Sequence, residues 1–123
     1  MTRAEIYTMV QSFGLPTAYY SFPNNQAPAL PYVIYYYPNR DDFFADDSNY
    51  AKIEVLRIEL YTDTKDFALE DLIESRMLMP YSKDVIYLDD EKMYQITYEC
   101  EFILTPEPTP TNTNESEEVN SGE

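Results

Sequence analysis

The strictest pattern in this chain lies between residues 85 and 104. The segment VIYL leads through three consecutive acids, Asp89, Asp90 and Glu91, into a stretch where large apolar residues occupy every second position. A two-residue period of this kind predicts a β-hairpin whose second strand, residues 92 to 104, has one buried face and one mostly polar face. The residues of the predicted buried face are Tyr94, Ile96, Tyr98, Cys100, Phe102 and Leu104.

Two other segments have the period of amphipathic helices. Residues 2 to 13 begin with Thr2 and Glu5 at the spacing of a capping box. Residues 66 to 78 begin with several acids, which suit the positive end of a helix dipole. The predicted buried stripes are Ile6, Met9, Val10 and Phe13 in the first helix and Phe67, Leu69, Leu72, Ile73 and Met77 in the second.

Three further segments are predicted to be strands: TAYYSF, residues 32 to 37, and about residues 50 to 62. In the last of these the apolar period changes phase at Val55 and Leu56, which indicates either a bulge or a strand covered on both faces. The order of helices and strands is typical of an α+β fold. We therefore expect a mainly antiparallel sheet packed by two helices.

The chain length of 123 residues fits one domain. We assign that domain to residues 1 to 104. From Thr105 onwards the sequence is rich in proline, threonine, asparagine and glutamate and has no base. Such a segment cannot bury enough apolar surface to offset the cost of ordering, so residues 105 to 123 are predicted to be a disordered acidic tail.

The charge and the missing residue types exclude several functions. Twenty-three acids against eight bases give a net charge of −15, and the bases are separated along the sequence. No cationic patch that could neutralise DNA phosphates is therefore expected. The chain has no histidine, two glycines and a single cysteine, Cys100, which we assign to packing. These absences argue against an enzyme, a bound cofactor and a phosphate-binding loop.

Metal and membrane binding are also not expected. Residues 40 to 47 contain several carboxylates but lack the ligand spacing and the central glycine of an EF-hand, so we predict a solvated loop and no metal. The first ten residues do not have the apolar core of a signal peptide. No run approaches the ~20 apolar residues that a membrane span needs. The expectation is a soluble protein made in a cytoplasm, with no membrane contact.

The aromatic residues indicate an interaction surface. The strand at residues 32 to 37 has large apolar groups on both faces, whereas two helices can cover only one face of a sheet. Phe43 and Phe44 lie within a charged loop and are predicted to project as an anchor into a neighbouring subunit. Exposed apolar patches of this kind mark protein contacts, and tyrosine is favoured in them. The predicted subunit interface comprises Tyr32, Tyr35, Tyr36, Tyr37, Phe43 and Phe44.

Three phrases, ALPYVIYYYPN, IELYTDTKD and EKMYQITYE, are similar to a family of tail terminator, or tail-completion, proteins of long-tailed phages and prophages of Gram-positive bacteria. The similarity covers roughly residues 15 to 104. It implies a ring, usually a hexamer, that caps the tail tube and joins the tail to the DNA-filled head. It implies no active-site residues. The implied location is the neck of the virion, after assembly in the host cytoplasm.

The resemblance also implies partners. They are further copies of the chain, the major tail tube protein and a head-closure or connector protein, while DNA passes through the ring without specific binding. Carboxylates lining the channel would repel phosphates. The candidates for this lumen are Glu54, Glu59, Glu99 and Glu101.

Two alternative functions are open. The chain could be another neck component, such as a head-closure protein. It could also be an acidic DNA mimic that inhibits a host DNA-binding protein, although that function gives the exposed aromatic residues no role.

Overall fold

The fold is taken from a computed structural model that describes residues 1–46 and 48–106. The helices are α1, Arg3–Gln11, and α2, Phe67–Arg76. The strands are β1 Thr17–Tyr19, β2 Tyr32–Tyr36, β3 Phe43–Ala45, β4 Ser48–Ala51, β5 Ile53–Thr62, β6 Tyr81–Leu88 and β7 Met93–Ile103, and a short 3₁₀ helix spans Pro23–Asn25. Except for Thr105 and Pro106, the predicted disordered tail lies outside the described residues. The assignment of residues 1 to 104 to one domain stays a prediction.

Five strands form one sheet in the order β1-β2-β5-β7-β6, and β3 pairs with β4 in a separate two-stranded hairpin. Within the large sheet, β1 runs parallel to β2 and every other neighbouring pair is antiparallel. The predicted α+β class, with a mainly antiparallel sheet and two helices, is confirmed. The strand β6 extends from Tyr81, four residues earlier than predicted from the sequence.

One face of the sheet packs against the helices. The predicted buried stripe of α1 is confirmed, since Ile6, Met9, Val10 and Phe13 are all buried. The capping box is present as well: the Thr2 hydroxyl accepts from the Glu5 N–H at 3.1 Å. From the sheet, the core residues are Val33, Tyr35, Leu56, Ile58, Leu60, Ile96, Tyr98, Cys100 and Phe102. The alternation predicted for β7 therefore places the expected side chains in the core.

The phase change of the apolar residues in β5 is not caused by a bulge. The register between β5 and β7 is continuous from Ile53 opposite Ile103 to Thr62 opposite Tyr94. Both faces of β5 are covered, because Leu56 faces the helices and is fully buried, while Val55 on the other face is only 7% exposed. The prediction that this strand begins near residue 50 is wrong, since residues 48–51 belong to β4.

The predicted buried stripe of α2 is only partly correct. Ile73 is buried, but Phe67 is 68% exposed and Leu72 is 37% exposed. The helix instead presents Glu70, which is 1% exposed, to the sheet. The carboxylate is drawn inward because two lysine ammonium groups hold it there, Lys65 at 2.7 Å and Lys83 at 2.9 Å. Neither of the described helices has the length and apolar character required to cross a membrane.

Candidate interaction surfaces

Two of the four tyrosines predicted for a subunit interface are buried by their own chain. Tyr32 is 8% exposed, and its ring lies 5.2 Å from the rings of both Phe22 and Tyr61. Tyr35 is 7% exposed and packs edge-on against Tyr19, at 5.3 Å between ring centroids. These two side chains need no second subunit to cover them, which corrects the reasoning from the sequence.

Tyr36 and Tyr37 are half-buried. On the helix-free face, the Tyr36 hydroxyl donates to a Glu59 oxygen at 3.1 Å, and burial followed by the Glu59 charge raises the pKa of this tyrosine. On the helix face, the Tyr37 ring lies 6.2 Å from the ring of Phe102 and 5.8 Å from the Arg3 guanidinium carbon. Both side chains retain some accessible surface, so their part in an interface stays a prediction.

The β3–β4 hairpin is fixed at its base. The Arg40 guanidinium donates through Nε and Nη2 to the two carboxylate oxygens of Asp42, each at 2.7 Å. The Asp42 Oδ1 atom also accepts from the Ile53 N–H at 3.2 Å, and the Asp41 N–H donates to the Ile53 carbonyl at 2.8 Å. These bonds tie the hairpin to the first residue of β5. The predicted solvated loop at residues 40 to 47 therefore contains a strand, Phe43–Ala45.

Phe43 and Phe44 lie on this hairpin and outside the core, with 54% and 61% of their surface exposed. The register between β3 and β4 shifts between these two residues. Both side chains are exposed, so neither is packed into the core of its own chain. The sequence signal that identified them was the pairing of two large apolar residues with flanking aspartates.

The four acids predicted for a channel lumen do not lie together. Glu54 is on the helix face, 3% exposed, with Oε2 at 2.7 Å from the Arg3 guanidinium. Glu59 is on the opposite face but is also buried, at 8% exposure. Glu99 is half-exposed and its Oε2 lies 3.7 Å from Arg57. Of these four acids, Glu101 alone has a mostly exposed side chain. The four residues therefore cannot line one surface as free charges, which corrects the prediction for Glu54 and Glu59.

A polar cluster that the sequence did not reveal surrounds Glu59 on the helix-free face. The carboxylate accepts from the Tyr61 hydroxyl at 2.7 Å and from Arg57 Nε at 3.1 Å. Gln95 in turn donates to the Tyr61 hydroxyl at 2.7 Å. Arg57, Glu59 and Tyr61 are alternate residues of β5 and share one face through the two-residue period of a strand. Gln95 belongs to β7 and joins them only through strand pairing. It neutralises a buried carboxylate and gives this face a structured polar centre.

A cationic pocket is a second feature that the sequence did not predict. Arg3, Arg40 and Lys52 line a cavity of about 240 Å³, together with Leu104, Thr105 and Pro106. Three of the eight bases thus converge from α1, the hairpin base and the start of β5, although they are far apart in sequence. Two of these bases are already paired with carboxylates, Arg3 with Glu54 and Arg40 with Asp42. The expectation that no cationic patch is available to neutralise phosphates therefore stays a prediction.

The described residues provide little nucleophilic or metal-binding chemistry. Cys100 is buried, and burial followed by the charges of Glu99 and Glu101 raises the pKa of its thiol to about 11. Within residues 1–46 and 48–106, no group of three or more cysteine, aspartate and glutamate side chains is arranged to hold a metal ion. Comparison of the sequence with protein-family models and with curated proteins gives no match to either.

Proposed function

We propose that this chain is a structural assembly protein of a long-tailed phage, a tail terminator that caps the tail tube as a ring and joins the tail to the head. The observation that carries the proposal is the projecting β3–β4 hairpin, which holds Phe43 and Phe44 outside the core. The resemblance of three sequence phrases to tail-completion proteins supports the same function.

The size of the anchor explains why a ring would be needed. Complete burial of both phenylalanine side chains stabilises a complex by about 3–6 kcal/mol, whereas association of two proteins costs about 4 kcal/mol or more. One hairpin contact is therefore weak in isolation. In a closed ring every subunit uses its hairpin once and receives one from its neighbour, so the number of contacts per subunit doubles relative to an isolated dimer.

The exposed charges are compatible with a DNA channel, but fewer carboxylates are available to line it than the sequence predicted. Glu101 is exposed on the helix-free face of β7, and Glu99 on the same face is partly neutralised by Arg57. A lumen lined by this face would present the carboxylates of Glu99 and Glu101 together with the half-buried Tyr36. The cation on this face, Arg57, is paired with Glu59 and Glu99, so it is less available to bind phosphates.

The test is to examine phage particles assembled without this chain. A terminator is required to stop tube growth, so we expect tails of abnormal length that fail to join heads. Tails of normal length beside separate, filled heads would instead assign the chain to head closure, the other neck function. Normal infectious virions would exclude both assembly roles.

The DNA-mimic alternative receives less support from the structure. A mimic has to display regularly spaced free carboxylates, yet several acids are in ion pairs within the chain; these are Asp42, Glu54, Glu59, Glu70, Glu74 and Glu99. Salt-sensitive binding of the purified chain to a basic DNA-binding protein, with normal virions in its absence, would favour the mimic.

A further inference from the structure

A groove of about 560 Å³ lies between α1 and the C-terminal end of α2. Most of the exposed surface of its lining is apolar, although Thr8, Ser12 and Ser75 contribute hydroxyls and Glu5 and Arg76 contribute charges. Volumes of about 300–1,000 Å³ with few polar groups are typical of binding sites. None of the described hairpin residues lines this groove, and neither Phe43 nor Phe44 lies in it.

We infer that the groove receives the β3–β4 hairpin of a second copy of the chain, with Phe44 as the anchor. This inference rests on the proposed function, in which the hairpin contacts a neighbouring subunit, and it names the surface on that neighbour. Phe44 is 61% exposed and Leu78, at the groove, is also 61% exposed. Contact between them removes apolar surface of both copies from water.

Charge complementarity fixes the direction in which the hairpin enters. Arg76 donates through Nη1 to the Ser12 carbonyl, and no carboxylate among the described residues is within ion-pair distance of it. A guanidinium has five N–H donors, so several remain for a partner. Asp46 is exposed at the hairpin turn. The turn therefore lies at the Arg76 side of the groove, away from the like charge of Glu5.

The hairpin and the groove are different surfaces of one chain, so the contact is head-to-tail. Contacts of this kind produce a closed ring when the rotation between copies divides a full turn, and an open filament otherwise. A tail cap requires the closed form. Each subunit would then place its hairpin in one neighbour and receive the hairpin of the other neighbour in its groove.

The first test fills the groove. Thr8 is exposed and lines the groove, so Thr8→Trp should block the hairpin and weaken assembly at least tenfold, as measured by light scattering across a concentration series. The matched control is Tyr7→Trp, which changes a 55% exposed residue of the same helix that does not line the groove. The Tyr7→Trp control should assemble like the unsubstituted chain. Thermal unfolding of both variants establishes that each is folded.

The second test traps the contact covalently. We expect a mixed disulfide when a copy carrying Asp46→Cys is oxidised with a copy carrying Ser75→Cys, a groove residue next to Arg76. Replacing the first partner by Asp89→Cys, in the β6–β7 turn, should give none. The native Cys100 does not compete, because it is buried. Trapping detects transient contacts, so it applies even to a chain that is monomeric at equilibrium.

Two results would overturn the inference. One is the absence of the mixed disulfide at every protein concentration, and the other is unchanged assembly of Thr8→Trp. If alanine at Phe43 and Phe44 still abolished assembly in that case, the hairpin would remain an interface that docks elsewhere, and the proposed function would stand. Normal virions without the chain would remove the proposed function independently of either result.

Discussion

The ammonium group of Lys83 on β6 lies 2.9 Å from Oε1 of Glu70 on α2, an ion pair that joins the edge strand to the second helix. The same ammonium lies 2.7 Å from Glu74 Oε2, and the Tyr98 hydroxyl donates to that carboxylate oxygen, also at 2.7 Å. Lys65 provides a second cation to Glu70. One lysine therefore neutralises two carboxylates, one of them fully buried.

Removing this lysine should destabilise the fold strongly. Breaking a buried ion pair from one side costs about 3–5 kcal/mol because the remaining charge has lost its partner. Lys65 still contacts Glu70, so we expect Lys83→Met to lower the free energy of unfolding by about 3 kcal/mol in urea denaturation. The control is Lys52→Met, at an exposed lysine without an ion pair among the described residues, which should change it by less than about 0.5 kcal/mol. Equal effects of the two changes would contradict the structural role of the cluster.

The same cluster predicts a loss of stability in acid. Burial raises the pKa of Glu70 and of Glu74, but the lysine contacts, together with Tyr98 at Glu74, outweigh burial and leave both pKa values below the ordinary range. A folded-state pKa below the unfolded value stabilises the fold above the unfolded pKa, and this contribution is lost as the pH falls through the folded pKa. We expect a falling free energy of unfolding between about pH 5 and pH 3, with a smaller fall in Glu74→Gln. An identical acid response in that variant would argue against the assignment.

Replacing the two hairpin phenylalanines should separate assembly from folding. Because both side chains are exposed, Phe43→Ala with Phe44→Ala should change the free energy of unfolding by less than about 1 kcal/mol while dissociating the oligomer. Ile73→Ala is the contrast, since it truncates a fully buried residue and should cost about 2–5 kcal/mol. Unchanged oligomer size in the hairpin variant would sink the interface prediction.

The capping box should contribute measurably to α1. The Thr2 hydroxyl and the Glu5 side chain each bond the other residue's backbone N–H, at 3.1 and 2.7 Å. Loss of an N-cap side chain costs about 1 kcal/mol, so Thr2→Ala should lower the unfolding free energy by that amount. Thr8→Ala is the matched control, because its hydroxyl donates only to the Ala4 carbonyl within the helix. A larger effect at Thr8 than at Thr2 would contradict the cap.

Local patterns predicted the elements whose partners are close in sequence. The alternation of β7 and the buried stripe of α1 each follow from one hydrophobic period within a single segment. The spacing of the apolar residues in that segment is enough to identify its buried face. The α2 prediction was only partly correct because it ranked side chains by hydrophobicity: Ile73, Leu69 and Met77 pack in or against the core, whereas Phe67 and Leu72 are exposed. Glu70 is buried through Lys65 and Lys83, and the second of these belongs to another strand.

The interaction surfaces also depend on contacts between residues far apart in sequence, which local patterns do not reveal. Tyr32 is covered by Phe22, from the segment before β2, and by Tyr61, which the pairing of β2 with β5 brings opposite it. The cationic pocket likewise depends on three bases from separate elements. Phe43 and Phe44, in contrast, lie on β3, which pairs with β4 and is not a strand of the five-stranded sheet, and the surrounding aspartates alone were enough to predict their exposure.

The bonds that Arg40 and Asp42 make at the base of the hairpin have a consequence for how fast copies could join. A hairpin attached by a free linker would sample many directions, and most encounters between copies would present its aromatic rings wrongly. The two-pronged guanidinium contact and the Ile53 N–H hold the strands in one direction relative to β5. Little chain entropy is then lost on docking, so even a small apolar contact can be productive.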